Sequence, residues 1–433
     1  MVPALFLFLA AQAATPLFDG KTLDGWRGRP HLDPRAETAM PAEERAEAQA
    51  RWDAEMSAHW RVEAGEIVND GEGPFLTTAR DFSDVEFDLE YRTGPGSDSG
   101  IYLRATPQVQ IWDWTEAGGN WPSGGDKGSG GLWNNERHPR FPLRRMDAAF
   151  GKWNRVKIRM IGERTWVWLN GALVAPAVPL ENHWDRGAPL HARGPLQLQT
   201  HGGEIRFRNL AARDLTFEES DLLLAAIPPE IPLRRGERDD SADVGEAFRP
   251  LFDGVTWADW TGATDEYEIV DGAIRCRPGR GGTICTEEEF GDFQVRFRFR
   301  LPPGGNNGLA IRYPGEGDAA FEGMCELQVL DDSAEQYAAL QPWQYHGSAY
   351  GLVAARRGYQ RSVGEWNLQQ VTVVGGRVQV ELNGTVILDA DLWAAEQTAD
   401  GKEHPGRQRE RGRFGFAGHG DPVEFREIEI RRL

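Results

Sequence analysis

LQTHGGEIRFRNL, residues 198–210, alternates polar and apolar side chains like a strand, yet a histidine and two glycines interrupt it. GFAGHGDPVEFREIEI, residues 415–430, is built the same way near the other end of the chain. Period-two alternation is the pattern of a half-buried strand. The same interruption at corresponding places points to an internal repeat. Working outward from the two phrases, LFDGKTLDGW (17–26) answers to LFDGVTWADW (251–260), and WRVEAGEIV (60–68) to YEIVDGAI (267–274). DFSDVEFDLEYR (81–92) answers to EFGDFQVRFRFR (289–300), and SGIYLR (99–104) to NGLAIR (307–312). PQVQIWD (107–113) matches CELQVLDD (325–332), and GKWNRVKIRMIGERTWVWLNGALV (151–174) matches GEWNLQQVTVVGGRVQVELNGTVI (364–387). The order is the same throughout, so the chain reads as two homologous domains, 15–216 and 250–433.

Each half is a string of short alternating runs separated by Gly, Asp and Asn, with DG and LNG as hairpin signals and no βαβ pattern. The expected fold is all-β: two tandem antiparallel jelly-roll sandwiches. Residues 217–249 carry IPPEIPLRRGERDDSAD (227–243) and read as a linker. MPAEERAEAQARWDAEMSAHW (40–60) reads as one helical insertion in the first domain, a surface helix or a lid.

The 433 residues suit two domains of about 200 residues each. A formal charge of −19 excludes the basic footprint that nucleic acid or anionic lipid needs. Sixteen tryptophans fit both cores and sugar stacking. Cys276, Cys285 and Cys325 form no disulfide framework and no zinc spacing; Cys276 and Cys285 flank a turn, and each reads as a buried thiol. The opening MVPALFLFLAAQAAT holds an apolar run too short to span a bilayer, followed by an A-x-A site; residues 1–14 read as a signal peptide, and the protein as secreted or periplasmic, with no membrane insertion.

Alternation sorts faces. Gln197, Gln199 and His201 oppose Leu196 and Leu198, while Gly415, Ala417 and His419 oppose Phe414 and Phe416. Gln108, Gln110 and Trp112 share one face, as do Glu326 and Gln328, with Asp113 and Asp331 at the strand ends. Tyr102 and Arg104 share a face, and Arg312 answers to Arg104. A bare solvated sheet face would explain any one of these residues. The whole set repeated in both halves favours a binding site. The glycine-rich loops DKGSGGLWNN (126–135) and QYHGSAYG (344–351) add polar groups, among them His346 and Tyr350. No GxGxxG, P-loop or GxSxG spacing occurs.

Together LFDGKTLDGW, SGIYLR, PQVQIWDW, DKGSGGLWNN and LQTHGGEIRFRNL, with FEGMCELQVLDD, YHGSAYG and FGFAGHGDPVEF in the second half, resemble the 3-keto-disaccharide hydrolase family. The resemblance implies a concanavalin-like or laminin-G-like jelly roll and a secreted bacterial enzyme acting on oligosaccharides or glycosides with a ketone at the sugar's 3-position. It implies elimination of the aglycone to a 2-hydroxy-3-keto-glycal, then hydration, which together amount to hydrolysis. The ketone acidifies the 2-proton, so a base, an acid and an enolate stabiliser suffice; a divalent cation is one stabiliser this chemistry admits. Mapped onto this chain, His419 or His346 is the base of the second domain, Glu326 or Asp331 the acid or a metal ligand, and Arg312, Gln328 and Tyr350 bind. In the first domain His201 and Asp113 share the acid–base work, and Arg104, Gln108, Gln110 and Trp112 bind. With Gln108 in place of Glu326 and Leu132–Trp133 in the region after His346, the first domain is expected to lack one carboxylate and one histidine. Two rivals stand beside this reading. One is a non-catalytic carbohydrate-binding protein. The other is an endoglucanase, whose E-x-D-x-x-E set is not found.

Overall fold

The computed structural model describes residues 13–227, 247–394 and 398–433. Most of the segment read as a signal peptide, residues 1–12, lies outside them, as does most of the linker. The chain divides into two compact units at Leu224/Ala225. The linker reading needs correction at its start: Phe217–Ala225 is a helix, two acidic residues in its first turn complementing the exposed amides there.

Each unit is an antiparallel sandwich of an eight-stranded and a five-stranded sheet. In the first, the larger sheet runs 172–179, 164–169, 153–161, 85–93, 205–214, 66–69, 60–63, with Thr15–Pro16 beside 205–214. The smaller runs Trp26–Arg29, Phe75–Phe82, Gly194–Leu198, Asp98–Leu103, Gln108–Trp112. The second unit repeats this order, its smaller sheet running Trp260–Gly262, Gly282–Phe290, Gly412–Gly418, Asn306–Tyr313, Cys325–Leu330. Both LNG signals form the expected hairpins. Asn170–Gly171 and Asn383–Gly384 take positive φ (49° and 82°, 50° and 82°), the twist that a two-residue turn needs between right-twisted strands.

The two sheets meet over their apolar faces. In the second unit Phe416 of the smaller sheet stacks on Phe425 of the larger at 3.9 Å between ring centres, and Phe297 packs edge-on at 6.2 Å. Burying each such ring contributes about 1.5–3 kcal/mol. In the first unit Leu196, Leu198, Ile101, Leu103, Val109 and Ile111 join the core, as alternation predicts, which turns the glutamines between them to the other face. Cys276, Cys285 and Cys325 are free and buried.

The inserted helix, Ala42–His59, is preceded by the short helix Pro34–Ala39. The longer helix docks on the edge strand Trp26–Arg29: Asp53 accepts from Gly28 N at 2.8 Å, and Gln49 Nε2 donates to Gly28 O at 2.9 Å. A side chain at Gly28 would collide with the Trp52 backbone and Met56. The helix therefore satisfies backbone groups that an open edge would leave unpaired. No helix among the described residues is long and apolar enough to cross a membrane.

Candidate functional site

In each unit a histidine follows the central strand of the smaller sheet, where glycines turn the chain. Gly202 O accepts from Asp98 N at 3.0 Å, so the turn folds back onto the 98–103 strand. His201 Nδ1 then lies 2.9 Å from Asp98 Oδ2, with its side chain 63% exposed and that of Asp98 20%. In the second unit His419 Nε2 lies 3.4 Å from Glu326 Oε1, at 45% and 6% exposure. Pairing with the carboxylate raises both imidazoles above the ordinary histidine value, against the opposing effect of burial.

A chain of amides extends the first pair. Gln110 Nε2 donates to Asp98 Oδ1 at 2.8 Å, and Gln108 Nε2 donates to Gln110 Oε1 at 2.6 Å. A carboxylate can only accept, so Asp98 fixes the direction of the series and leaves Gln108 Oε1 as its open end. The second unit is shorter: Gln328 Nε2 donates to Glu326 Oε1 at 2.9 Å. The Glu326 side chain lies across Gly308, where any Cβ would collide with it. Tyr350 adjoins this pair. Its N donates to Glu326 O at 2.9 Å, its ring meets Trp343 edge-on at 5.1 Å, and burial, with the Glu326 charge adding, pushes its phenol up.

Several sequence expectations are corrected. Arg104 and Arg312 are buried and held by backbone carbonyls instead of standing on the polar sheet face. Arg104 donates to His191 O and Ser83 O at 2.8 and 2.9 Å. Arg312, fully buried, donates to Gly291 O, Gly375 O, Arg409 O and Asp292 Oδ1 at 2.8–3.0 Å. Both take positive φ, 51° and 46°, which breaks the alternation that had put them on the polar face. Asp113 and Asp331 do not join the histidines. Asp113 accepts from Gly96 N and from Thr115 N and Oγ1, and Asp331 from Gly304 N and from Ser333 N and Oγ. Burial works to raise both carboxyls, but these bonds hold them below the usual value; they are turn-forming acceptors. His346 is core: 1% exposed, 5.0 Å from the Phe299 ring, and pushed down to about 3 by burial. Trp112 is buried beneath the 128–133 loop, donating to Gly128 O at 2.9 Å with Trp133 edge-on at 5.1 Å. The first unit does not lack a carboxylate, because Asp98 supplies it.

Sequence reasoning missed Asp98, although it shares the alternation of Gly100 and Tyr102. It also missed His31, His183 and Trp184, whose loops carry no periodic signal. His31 lies beside Tyr102 and Trp184, at 5.3 and 4.6 Å between ring centres. Burial lowers His31 to about 4, with His183, Arg29 and His201 adding to the effect. Among the described residues no three His, Cys, Asp or Glu side chains gather as a metal-binding group. A cleft of about 880 Å³ in the second unit is lined by Arg312, Arg377, Asp389, Trp393 and Arg411 among others, but by neither Glu326 nor His419.

The sequence pattern of the 3-keto-alpha-glucoside-1,2-lyase-like domain matches residues 13–213 and again 247–431. The chain is 24% identical over 229 residues to a 3-keto-disaccharide hydrolase of Bacteroides thetaiotaomicron, a match covering 43% of this chain and 79% of the relative. A crystal structure of a candidate glycosyl hydrolase from Parabacteroides distasonis is similar at 25% identity and a TM-score of 0.39, covering 43% of this chain and all of that one. A carbohydrate-binding module from Bacillus subtilis is similar at 15% identity and a TM-score of 0.28, covering 40% of this chain and 95% of the module.

Proposed function

Because the chain belongs to the 3-keto-alpha-glucoside-1,2-lyase-like family in both halves, we propose that it cleaves glycosides already oxidised to a ketone at carbon 3. The observation that carries this reading is the exposed histidine paired with a carboxylate on the polar sheet face of each unit. The imidazole takes the proton from carbon 2, and the C–H electron pair moves to form the enolate. The bond from carbon 1 to the aglycone oxygen then breaks, and that oxygen receives a proton from the imidazolium. Water adds across the resulting double bond, hydroxyl to carbon 1 and proton to carbon 2, so the two steps sum to hydrolysis. Asp98 and Glu326 hold the imidazolium formed in the first step, and the amides bind sugar hydroxyls. The enolate oxygen needs a donor or a cation, so a divalent ion is part of the test. An acidic chain whose N-terminal run is apolar is read as working outside the cytoplasm.

The test is a progress curve with a 3-keto-glucoside carrying a chromogenic aglycone, beside the unoxidised glucoside, with and without chelator. Release from the keto substrate alone supports the proposal. Release from the plain glucoside makes the protein an ordinary glycosidase and overturns it. Sugar binding without release from either identifies a carbohydrate-binding protein instead.

A further inference from the structure

Resting on the elimination reading above, we infer that His31 is the electrophilic residue of the first unit: its imidazole donates an N–H hydrogen bond to the sugar's 3-keto oxygen and holds the enolate while His201 moves the proton. The enolate oxygen needs a donor that the histidine–carboxylate pair does not supply. Polar atoms on the floor beside His201 are of the wrong kind. Asp98 only accepts, and the Oε1 atoms of Gln108 and Gln199 close over Gly100, each buried and without a hydrogen-bond partner. Negative charge developing above these acceptors needs a donor from the rim.

His31 stands at that rim. It follows the edge strand Trp26–Arg29, and its ring lies edge-on to Tyr102 at 5.3 Å. Tyr102 shares the polar face with Gly100 and Asp98. Phe75 and His183 stack with His31 at 5.6 and 5.7 Å. Trp184, anchored by its Nε1 donating to Ala105 O at 3.0 Å, lies 4.6 Å away. Stacking grips the ring by its faces and leaves the nitrogens at its edge; among the described residues none hydrogen-bonds to them. From Tyr102 to Asp98 the strand advances about 13 Å, and His201 lies at the Asp98 end. Carbons 2 and 3 of a sugar are adjacent, so with one pyranose between the two imidazoles, one meets the 2-proton and the other the 3-oxygen.

The two rings are tuned in opposite directions. Although part of His31 reaches solvent, burial of the rest lowers it to about 4, with His183, Arg29 and His201 adding to the effect. Arg29 is itself paired with Glu37. His201 is raised by its bond to Asp98. His31 is therefore neutral wherever His201 titrates: one imidazole keeps its proton as a fixed donor, and the other carries the proton that moves. The C2–H electron pair enters the C2–C3 bond while the carbonyl pair moves onto oxygen. As the C1–O bond breaks, the oxygen pair re-forms the carbonyl, the C2–C3 pair moves to C1–C2, and the C1–O pair leaves with the aglycone oxygen. His31 ends the cycle as it began. In the second unit Asp265 stands three residues after Gly262, the counterpart of Gly28 by register, and a carboxylate offers no such donor.

The experiment uses the full chain carrying His419→Ala, so that the first unit reports alone. The probe is 1,5-anhydro-3-keto-glucitol, whose carbon 1 bears no aglycone, so NMR in heavy water reads enolate formation as deuterium uptake at carbon 2. Adding His31→Phe keeps a ring in the stack and removes the N–H. It is expected to slow uptake by about 10²–10³-fold, the loss of one oxyanion donor, and to lower kcat on a chromogenic 3-keto-glucoside equally, with KM little changed. His31→Gln restores a donor and should recover part of both rates. Uptake that His31→Phe leaves unchanged, or a loss that His31→Gln does not repair, overturns the inference. Uptake abolished by a chelator also overturns it, because a cation then holds the enolate. No uptake in the His419→Ala chain, with aglycone still released from the 3-keto-glucoside by a His201→Ala chain, would confine the chemistry to the second unit and defeat this inference alone. No uptake and no release by any of these chains would defeat the elimination reading with it.

Discussion

Asp98 and Glu326 supply the same carboxylate to the site histidine from different strands and to different ring nitrogens. Asp98 meets His201 at Nδ1 from strand 98–103, and Glu326 meets His419 at Nε2 from strand 325–330. The register makes the exchange reciprocal. Asn306 stands where Asp98 does, and Gln108 stands where Glu326 does. One carboxylate per histidine is retained while its position moves across the sheet, and the nitrogen left to face a ligand changes from Nε2 to Nδ1.

This reciprocity predicts a rescue. Asp98→Asn is expected to lower kcat of the first unit by about 10²-fold, the lower end of what a positioned proton-transfer pair contributes. Adding Gln108→Glu places a carboxylate where the second unit has Glu326, and part of the loss should return. The measurement is kcat on a 3-keto-glycoside in a His419→Ala background. If the double variant is no better than Asp98→Asn alone, the carboxylate's position matters more than its presence, and the equivalence of the two pairs fails.

The pairs also fix a pH dependence. A base works in its neutral form, and the carboxylates raise both histidines above the usual 6.5. The acid limb of kcat/KM is therefore expected above pH 6.5, with activity rising as the imidazolium loses its proton. Asp98→Asn and Glu326→Gln should each move the limb of their own unit down towards 6.5. A limb that stays put in both variants would assign the titration to another group.

His346 carries a stability signature instead of an activity. Its folded value is about 3, depressed by burial, against about 6.5 for an unfolded histidine. Above pH 6.5 both states are neutral and the residue adds no slope. Between 6.5 and 3 the unfolded chain takes a proton that the folded one refuses, so stability falls by about 1.4 kcal/mol per pH unit. Denaturant unfolding of the second unit at pH 7.5 and 4.5 should therefore show a steeper acid loss in the wild type than in His346→Gln, by ~2–3 kcal/mol. Equal losses would mean that the imidazole titrates normally and is not buried as described.

What the sequence disclosed follows from what period two can report. The repeat, the sheet faces and the glutamine–histidine row are properties of alternation and could be read directly. Arg104 and Arg312 could not, because one left-handed residue at the end of a regular run reverses the face of everything after it. Asp98 lay within the readable pattern, yet its role depends on the Gly202 turn folding onto its strand. His346 follows a tyrosine in a glycine-rich loop, and only packing against Phe299 reveals that it is core. His31 and Trp184 come from loops 153 residues apart in sequence, so nothing local announces that they meet.

Arg312 separates a structural cation from a binding one. Its guanidinium is fully buried, donates to three carbonyls and pairs with Asp292, whose Oδ1 also accepts from Gly375 N at 2.8 Å. Removing one partner of a buried pair leaves the other charge desolvated and unpaired, which costs about 3–5 kcal/mol. Arg312→Ala should lower the denaturant midpoint of the second unit accordingly. Arg312→Lys keeps the charge but cannot reach the same spread of carbonyls from one ammonium, so it should lose most of that stability too. The folded fraction of Arg312→Lys should bind a 3-keto-glycoside with unchanged Kd. A variant that kept its stability and lost its affinity would return this arginine to the ligand.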